Sequence, residues 1–303
     1  MNTLGLKWIA GALLAGAMTF AGCGDSSPSG TAGSGGTGGS AGMGGEGGTG
    51  GSPVATVSVG GIAWGFTLPE QGGYDLIANA TISVLEMPEL TTTSNEEGEF
   101  TIAGIPAGSQ STFVLEHDDY PLSYTKTHTV TDADIDDLTF QVPNNGLFTL
   151  IELGLVEGGV IEEGVDPDKC QIVSTFTRFG RTIGDPGHHG EPGATLSVAP
   201  ANNSEAGPIY FGDDVRPDPT RAYSSLDGGV LLLNVEPGDY TLSAACVEDP
   251  TDLIAEYPPE DHEGESLRCQ TEAVEFESVL MKCRPGVFLN ASPSYGLQAL
   301  SPE

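Results

Sequence analysis

The sequence predicts an all-β protein: two tandem antiparallel β-sandwiches that follow a disordered N-terminal tether. One observation is the alternation of apolar and polar residues, as in "EFTIAG", where Phe100 and Ile102 share one face and Thr101 lies on the other. Glycine and proline turns separate such segments at short intervals, which is typical of a sandwich. The pattern also occurs twice, as "SNEEGEFTIAGIPAGS" at 94–109 and "SSLDGGVLLLNVEPGD" at 224–239.

The two copies align over a long range. Gly98 falls over Gly228 at an offset of 130 residues, and the same offset places Gly108 over Gly238. Upstream, "NATISV" at 79–84 resembles "GATLSV" at 193–198 at an offset of 114, so the second copy contains a 16-residue insertion. An internal repeat of this length predicts two modules rather than a solenoid. We place β-sandwich 1 at 54–143 and β-sandwich 2 at 169–295.

A connector at 144–168 lies between the predicted sandwiches. Leu147, Leu150, Ile151 and Leu155 are spaced as one apolar stripe of a helix. We interpret the segment as a short helical connector, with a strand as the alternative.

The N-terminus is typical of an exported bacterial lipoprotein. Lys7 precedes the 13-residue apolar run "WIAGALLAGAMTF", which suits a signal peptide and is too short to span a bilayer. The run ends in "FAGC", which resembles a lipobox, so Cys23 is the predicted lipidation site and 1–23 the predicted signal segment. Residues 24–53, rich in Gly, Ser and Thr, are predicted to form a flexible linker.

The charge balance restricts the partners. The chain carries 43 acidic and 10 basic side chains, a formal net charge of −33. Nucleic acid is excluded as a partner because phosphate binding needs Lys and Arg. We expect a solvated acidic surface, contact with the membrane through the lipid on Cys23, and a cell-envelope protein or polysaccharide as a further partner.

Four cysteines remain once Cys23 is assigned to the lipid. In an exported chain an even number suggests two disulfides, and four cysteines allow three pairings. We favour Cys246–Cys269, which would close an acidic loop, and Cys170–Cys283, which would join the first strand of sandwich 2 to its last. A zinc site is the alternative, although the sequence has no Cys-x-x-Cys pair.

The segment "NATISVLEM…TTTSNEEGEFTIAGIPAGSQSTFVLEH" resembles a carboxypeptidase regulatory-like domain. Gly98, Phe100, Pro106 and Gly108 match the family's turn-and-strand pattern, whereas Asn79 stands where the family usually has Gly. The second copy shares Gly193, Gly228, Pro237, Gly238 and Tyr240. The resemblance implies an Ig-like, prealbumin-type (transthyretin-like) sandwich in each copy and an accessory rather than catalytic role.

Two patterns could bind metal ions. His188-x-x-Glu191 has the spacing of a metallocarboxypeptidase zinc pair, but it lies in a turn-rich loop, and we expect His189 and Glu191 to be solvated. Aspartates that suit calcium are clustered in two loops, although no EF-hand pattern is present. These weak calcium candidates are Asp132, Asp134 and Asp136, together with Asp213 and Asp214.

Exposed aromatic side chains are the usual basis of sugar binding. Trp64 lies in the first strand region, where we expect it in the core. Tyr210, Phe211 and Tyr223, in or near the insertion, are the candidate ligand-binding residues.

The sequence as a whole predicts a non-enzymatic, lipid-anchored protein of the outer membrane or cell surface, with no cofactor. Carbohydrate binding and calcium-dependent adhesion are the alternatives. No Gly-x-Ser-x-Gly, phosphate-binding loop or His-Glu-x-x-His motif is present.

Overall fold

The computed structural model describes residues 55–67, 71–72, 74–182, 188–201, 204–262, 267–292 and 296–301. The predicted signal segment at 1–23, with Cys23, and the predicted linker at 24–53 lie outside the described residues. In the described ranges, no helix is long and apolar enough to cross a membrane.

Strands make up most of the regular structure, so the predicted all-β, sandwich-like class is confirmed. In the described part of the chain, two helices, α1 (Asn145–Glu157) and α2 (Thr251–Glu256), and 3₁₀ turns at Pro259–Asp261 and Arg268–Gln270 accompany them. The strands in chain order are β1 (Thr56–Phe66), β2 (Tyr74–Leu76), β3 (Thr81–Val84), β4 (Met87–Thr93), β5 (Glu99–Pro106), β6 (Gln110–His117), β7 (Tyr120–Thr129), β8 (Ile135–Pro143), β9 (Cys170–Thr177), β10 (Ala194–Ala199), β11 (Ala206–Phe211), β12 (Pro217–Asp218), β13 (Gly229–Val235), β14 (Gly238–Cys246), β15 (Val279–Cys283), β16 (Phe288–Ala291) and β17 (Leu297–Gln298).

The first repeat, residues 55–143, is built around β1. This strand pairs antiparallel with β5 and β2, and parallel with β8. A Cβ on Gly61 would overlap the carbonyl oxygen of Leu138, so a glycine is needed for β8 to approach. A second set of strands, β4–β3–β6–β7, completes the repeat. The fully buried Val59, Ile82 and Phe113 lie in the core of this repeat.

The second repeat, residues 169–301, reproduces this pairing. Here β9 pairs antiparallel with β13 and parallel with β16, as β1 does with β5 and β8. The set β10–β14–β15 corresponds to β3–β6–β7. The predicted insertion forms β11 and β12, and β11 pairs with β13.

One turn shows why the glycines recur at the same offset. Gly98 has φ 70° and Gly228 has φ 79°, a region that residues with a Cβ avoid. A Cβ on Gly98 would lie 2.8 Å from the carbonyl oxygen of Ala63, and one on Gly228 would lie 2.5 Å from that of Phe176. The repeat read from the sequence is therefore a repeat of backbone geometry.

The two repeats are joined through β7. This strand pairs parallel with β16, where Phe288 lies opposite Ser123, and antiparallel with β15, where Leu280 lies opposite Thr127. Phe288 also packs in the first core. The module boundaries at 54–143 and 169–295 stay predictions, and strands from both modules belong to one hydrogen-bonded sheet.

Among the described residues, two ion pairs also connect the repeats. The ammonium of Lys126, whose side chain is buried, lies 3.2 Å from Glu277. Lys282 lies 2.5 Å from Glu86. Although burial alone would raise the pKa of Glu86, the contacts with Lys282 and Thr112 lower it.

The connector contains α1, so its helical interpretation is confirmed. The side chain of Asn144 accepts a hydrogen bond from the Leu147 backbone N–H at 2.8 Å, which caps the first turn. The residues of the predicted apolar stripe do not form a single buried face of α1. Leu155 is buried, whereas Leu150 is 55% exposed.

Candidate functional site

The cysteines form the pairs that the sequence favoured. Cys170 and Cys283 are joined with their sulfurs 2.04 Å apart, and Cys246 and Cys269 with theirs 1.98 Å apart. The first bond connects the start of β9 to the end of β15. The second closes the segment that carries α2 against the end of β14.

The three aromatic candidates do not form one exposed surface. Tyr210 is only 4% exposed, and its hydroxyl accepts a hydrogen bond from the Leu196 N–H at 3.1 Å. Phe211 is half-buried and packs on a small apolar cluster of the second repeat. The half-buried Tyr223 donates its hydroxyl proton to Glu256 at 3.1 Å. Tyr210 was wrongly expected at the surface because β11 turns it inward, beneath β10.

Some of the calcium candidates make separate contacts, and the others are exposed. Asp134 accepts a hydrogen bond from the Ser58 N–H at 2.7 Å, while Asp132 and Asp136 are exposed. Asp214 pairs with Arg216 at 3.7 Å. In the ranges that the structure describes, no group of three or more His, Cys, Asp or Glu side chains could hold a metal ion.

Asp213 lies at the centre of a polar network instead. It accepts hydrogen bonds from the Leu226 N–H at 3.0 Å and from the Tyr257 hydroxyl at 2.9 Å. Arg221 extends the network by pairing with Glu256 at 2.8 Å. Burial and the hydrogen bond to Asp213 raise the pKa of Tyr257. These contacts hold the insertion against the segment that carries α2.

Asp227 lies beside this network. It accepts the Gly229 N–H at 3.0 Å. Burial, with smaller contributions from the charges of Asp213 and Asp214, raises the pKa of Asp227 to about 6. The group is part of the turn that contains Gly228, which gives it a structural role.

The His188-x-x-Glu191 pair is separated. His188 is exposed, whereas Glu191 is fully buried, so the expectation of a solvated Glu191 is wrong. One carboxylate oxygen accepts the Cys269 N–H at 2.9 Å, and the other has no hydrogen-bond partner among the described residues. Burial raises the pKa of Glu191 to about 7, against the opposing influence of the Cys269 N–H and Arg178. Glu191 thus fixes the disulfide-closed segment to the second repeat.

Trp64, which the sequence analysis placed in the core, is half-buried and lies on the outer face of β1. Trp64 and Phe66 alternate in β1 with Ala63 and Gly65, so they point away from the first core, to which Ala63 belongs. Tyr74, directly opposite Phe66 on β2, is 64% exposed. We call Trp64, Phe66 and Tyr74 the aromatic corner.

The rings of the aromatic corner are not coplanar. The centroids of Trp64 and Tyr74 lie 6.5 Å apart with the planes at 89°, and those of Phe66 and Tyr74 lie 6.0 Å apart at 55°. The tryptophan therefore stands at a right angle to the exposed tyrosine. Within the described chain, the Trp64 Nε1 has no hydrogen-bond partner. Asn144 and Gln71, hydrogen-bonded to each other at 3.3 Å, lie near the Phe66 end, where the Asn144 N–H donates to the Phe66 carbonyl.

A signal for the aromatic corner was present in the sequence. In "AWGF", residues 63–66, the two large rings are separated by a glycine, and a period of two places them on one face while the small residues occupy the other. The burial of Glu191 had no such local signal, because the segment that covers it lies far along the chain.

No protein-family model and no curated protein matches the chain. Solved structures that show some likeness are the Bacillus anthracis TIE protein, at 10% identity and a TM-score of 0.21, and a streptococcal ancillary pilin, at 9% and 0.23. The likeness covers 79% of this chain in both cases, 34% of the TIE protein and 68% of the pilin. A third is a proposed carbohydrate-binding protein from Bacteroides uniformis, at 10% identity and a TM-score of 0.19, covering 74% of this chain and 98% of that one. This chain spans about a third of the length of the TIE protein. Likeness at these values carries no argument about function.

Proposed function

We propose that this chain is a lipid-anchored, non-enzymatic protein of the cell envelope whose β-sandwich body has a structural or binding role. The pairing of the cysteines is the observation that carries the proposal. Both disulfides are formed, and disulfides persist in oxidising compartments outside the cytoplasm. Of the five cysteines in the sequence, Cys23 alone is then left for another chemistry.

The position of Cys23 supports the lipid anchor. It directly follows the apolar run and precedes the Gly/Ser-rich segment at 24–53. One acyl chain gives marginal membrane binding, whereas two or more hold a protein stably. The lipid therefore anchors the chain in the outer membrane or at the cell surface, and the segment at 24–53 acts as a tether for the body.

The chemistry of the perturbed carboxyl groups supports a non-enzymatic role. Glu191 and Asp227 have raised pKa values, which in an enzyme can mark an acid or base. Here each of them accepts a backbone N–H, from Cys269 and Gly229 respectively, and so holds a loop or a turn. Their environments are explained by folding.

Metabolic labelling tests the anchor. The full chain is expressed in a bacterial host that is fed a fatty acid with an alkyne tag, and membranes are separated from soluble protein. We expect the wild-type chain to carry the label and to sediment with membranes, and Cys23→Ser to lose both properties.

The paired variant Cys246→Ala/Cys269→Ala is the control, because it also removes cysteines but should keep the label. Retention of the label by Cys23→Ser, or a soluble and unlabelled wild-type chain, would contradict the anchor.

A further inference from the structure

The aromatic corner offers two kinds of contact to a ligand. Tyr74 is 64% exposed, so most of its ring is open to solvent, and Trp64 forms a wall at 89° to it. The faces of aromatic rings carry partial negative charge, which attracts the slightly positive C–H groups on the apolar face of a sugar ring. The corner can therefore hold one ring on the tyrosine while the tryptophan borders its edge.

The perpendicular geometry restricts what can bind. Coplanar rings would form a flat strip that suits the flat surface of a crystalline polysaccharide. At interplanar angles of 89° and 55°, the three rings cannot lie on one plane. A single ring of a soluble or chain-end glycan fits such a corner better than a flat surface does.

Hydrogen bonding and charge point to a neutral ligand. The amide of Gln71, near the Phe66 end, can donate to and accept from hydroxyl groups, while Asn144 donates to that amide and accepts from the Leu147 N–H. The Trp64 Nε1–H is buried and lacks an acceptor within the described residues. The net charge of −33 opposes an anionic ligand.

We propose that the aromatic corner formed by Trp64, Phe66 and Tyr74 is a binding site for a neutral glycan, with one sugar ring stacked on Tyr74. The inference rests on the proposed binding role of the body and names the ligand class. It does not depend on the lipid anchor.

A second copy of this chain is the competing occupant. Stable dimers need about 1,000 Å² or more of buried surface. The corner has three rings, and the adjacent edge strand β2 has three residues, so edge-to-edge pairing would form few hydrogen bonds. Both features favour a small ligand over a second copy.

Trp64 makes the test direct. The sequence has two tryptophans, Trp8 and Trp64, and Trp8→Phe leaves Trp64 alone whether or not the chain is cleaved before Cys23. The fluorescence of the full chain with this substitution, purified in mild detergent, therefore reports on the corner. The probes are soluble neutral oligosaccharides of glucose, mannose, galactose and xylose, with crystalline cellulose as an insoluble comparison.

We expect at least one soluble oligosaccharide to change the Trp64 fluorescence saturably and crystalline cellulose to bind weakly or not at all. Tyr74→Ala should reduce the affinity about tenfold or more, as for other exposed ring contacts at the centre of a site. Phe179→Ala is the matched control, because Phe179 is a 54% exposed aromatic residue outside the corner and its loss should leave the affinity unchanged.

Three outcomes would overturn the proposal: no saturable response to any oligosaccharide, equal affinity in Tyr74→Ala and Phe179→Ala, or dimerisation of the chain that Tyr74→Ala abolishes. Unfolding curves of the variants are compared first, and Tyr74→Ala is expected to match the wild-type chain. The labelling of Cys23 is measured separately, so the anchor can fail while the glycan site stands.

Discussion

The two repeats share one hydrogen-bonded motif but differ in the residue whose carbonyl accepts the hydrogen bond. In the first repeat, the buried Ser94 hydroxyl accepts the Ala80 N–H at 2.9 Å and donates to the Ile77 carbonyl at 2.6 Å. In the second, Ser224 accepts the Ala194 N–H at 2.8 Å and donates to the Glu191 carbonyl at 2.7 Å. We call this motif the serine clasp.

The clasp places Ile77 and Glu191 at equivalent positions. Ile77 is 2% exposed and packs in the first core. Glu191 is equally buried, but its carboxylate holds the Cys269 N–H. The same backbone geometry thus stabilises an apolar core in one repeat and fixes an added, disulfide-closed segment in the other.

The second repeat contains a helix and a disulfide that the first repeat lacks in the described residues. The first repeat joins β6 to β7 by a short turn, whereas the second carries α2 and the Cys246–Cys269 disulfide between β14 and β15. Both disulfides lie in the second repeat. We infer that the clasp and its glycines define the module, and that the stabilising additions are specific to one copy.

The largest effect should come from breaking the disulfides. The Cys170–Cys283 pair has a sequence separation of 113 and the Cys246–Cys269 pair one of 23. Loop-closure entropy then predicts losses of about 5 and about 3 kcal/mol of unfolding free energy for the paired alanine variants. Urea unfolding, followed by far-ultraviolet circular dichroism, measures both.

Trp64 fluorescence in the same experiment asks whether the repeats are coupled. Because β7 of the first repeat pairs with β15 and β16 of the second, we expect the fluorescence and dichroism transitions of Cys170→Ala/Cys283→Ala to move together. Transitions that separate, with fluorescence unchanged, would show that the repeats unfold independently.

The turn glycines should give the next largest effect, and in both repeats. Alanine at Gly98 or Gly228 combines a left-handed backbone with overlap of a carbonyl oxygen, so we expect a loss of about 3 kcal/mol in each variant. Gly228→Ala should be the more severe, because its Cβ lies nearer the carbonyl. Thermal unfolding measures the two variants.

Gly108→Ala is the control for backbone strain alone. Gly108 has φ 83°, and nothing lies within 4 Å of an added Cβ, so the loss should be about 1 kcal/mol. If all three variants lost the same stability, the carbonyl contact would have no role.

Glu191 should make the second repeat sensitive to pH. Its pKa is raised from 4.5 in the unfolded chain to about 7 in the folded one, so the folded state retains the proton more strongly. Stability from this group is then present below pH 4.5 and is lost as the pH rises through 7, by up to about 3 kcal/mol. Glu191→Gln keeps an acceptor for Cys269 and should be more stable than the wild-type chain at pH 8.

The difference between Glu191→Gln and the wild-type chain isolates this contribution. Asp227, with its pKa raised to about 6, acts in the same direction, and the buried His128, with its pKa lowered to about 3, acts in the opposite one. Both cancel in the difference, which should grow between pH 4.5 and 7 and then level off. A difference that is constant with pH would show that Glu191 ionises as it does in the unfolded chain.

Local patterns explain what the sequence alone could predict. Strand alternation and the turns at Gly98 and Gly228 depend on residues that are neighbours in the chain. Both could therefore be predicted from the sequence. The disulfide pairing was one of three possibilities, favoured by the expected order of the strands.

The candidate site could not be predicted in the same way, because it depends on which face of each strand is covered. Tyr210 is buried because β10 lies over it, and Trp64 is only half-buried because it points away from the core of its own sheet. Strand periodicity tells which residues share a face but not which face meets another layer. Glu191 is buried by the segment around Cys269, 78 residues away in the chain.

The smallest expected effect tests the clasp itself. Ser94→Ala and Ser224→Ala each leave a buried backbone N–H, of Ala80 or Ala194, without its acceptor, which costs about 2 kcal/mol. Since the hydrogen-bond distances of the two clasps agree within about 0.1 Å, we expect equal losses, measured by urea unfolding of the two variants.

Ser83→Ala, at a half-buried serine of β3, is the control and should change the unfolding free energy little. A loss confined to Ser224→Ala would mean that the clasp stabilises the protein only where Glu191 is buried beside it. The stability of the second repeat would then depend on the clasp, and that of the first would not.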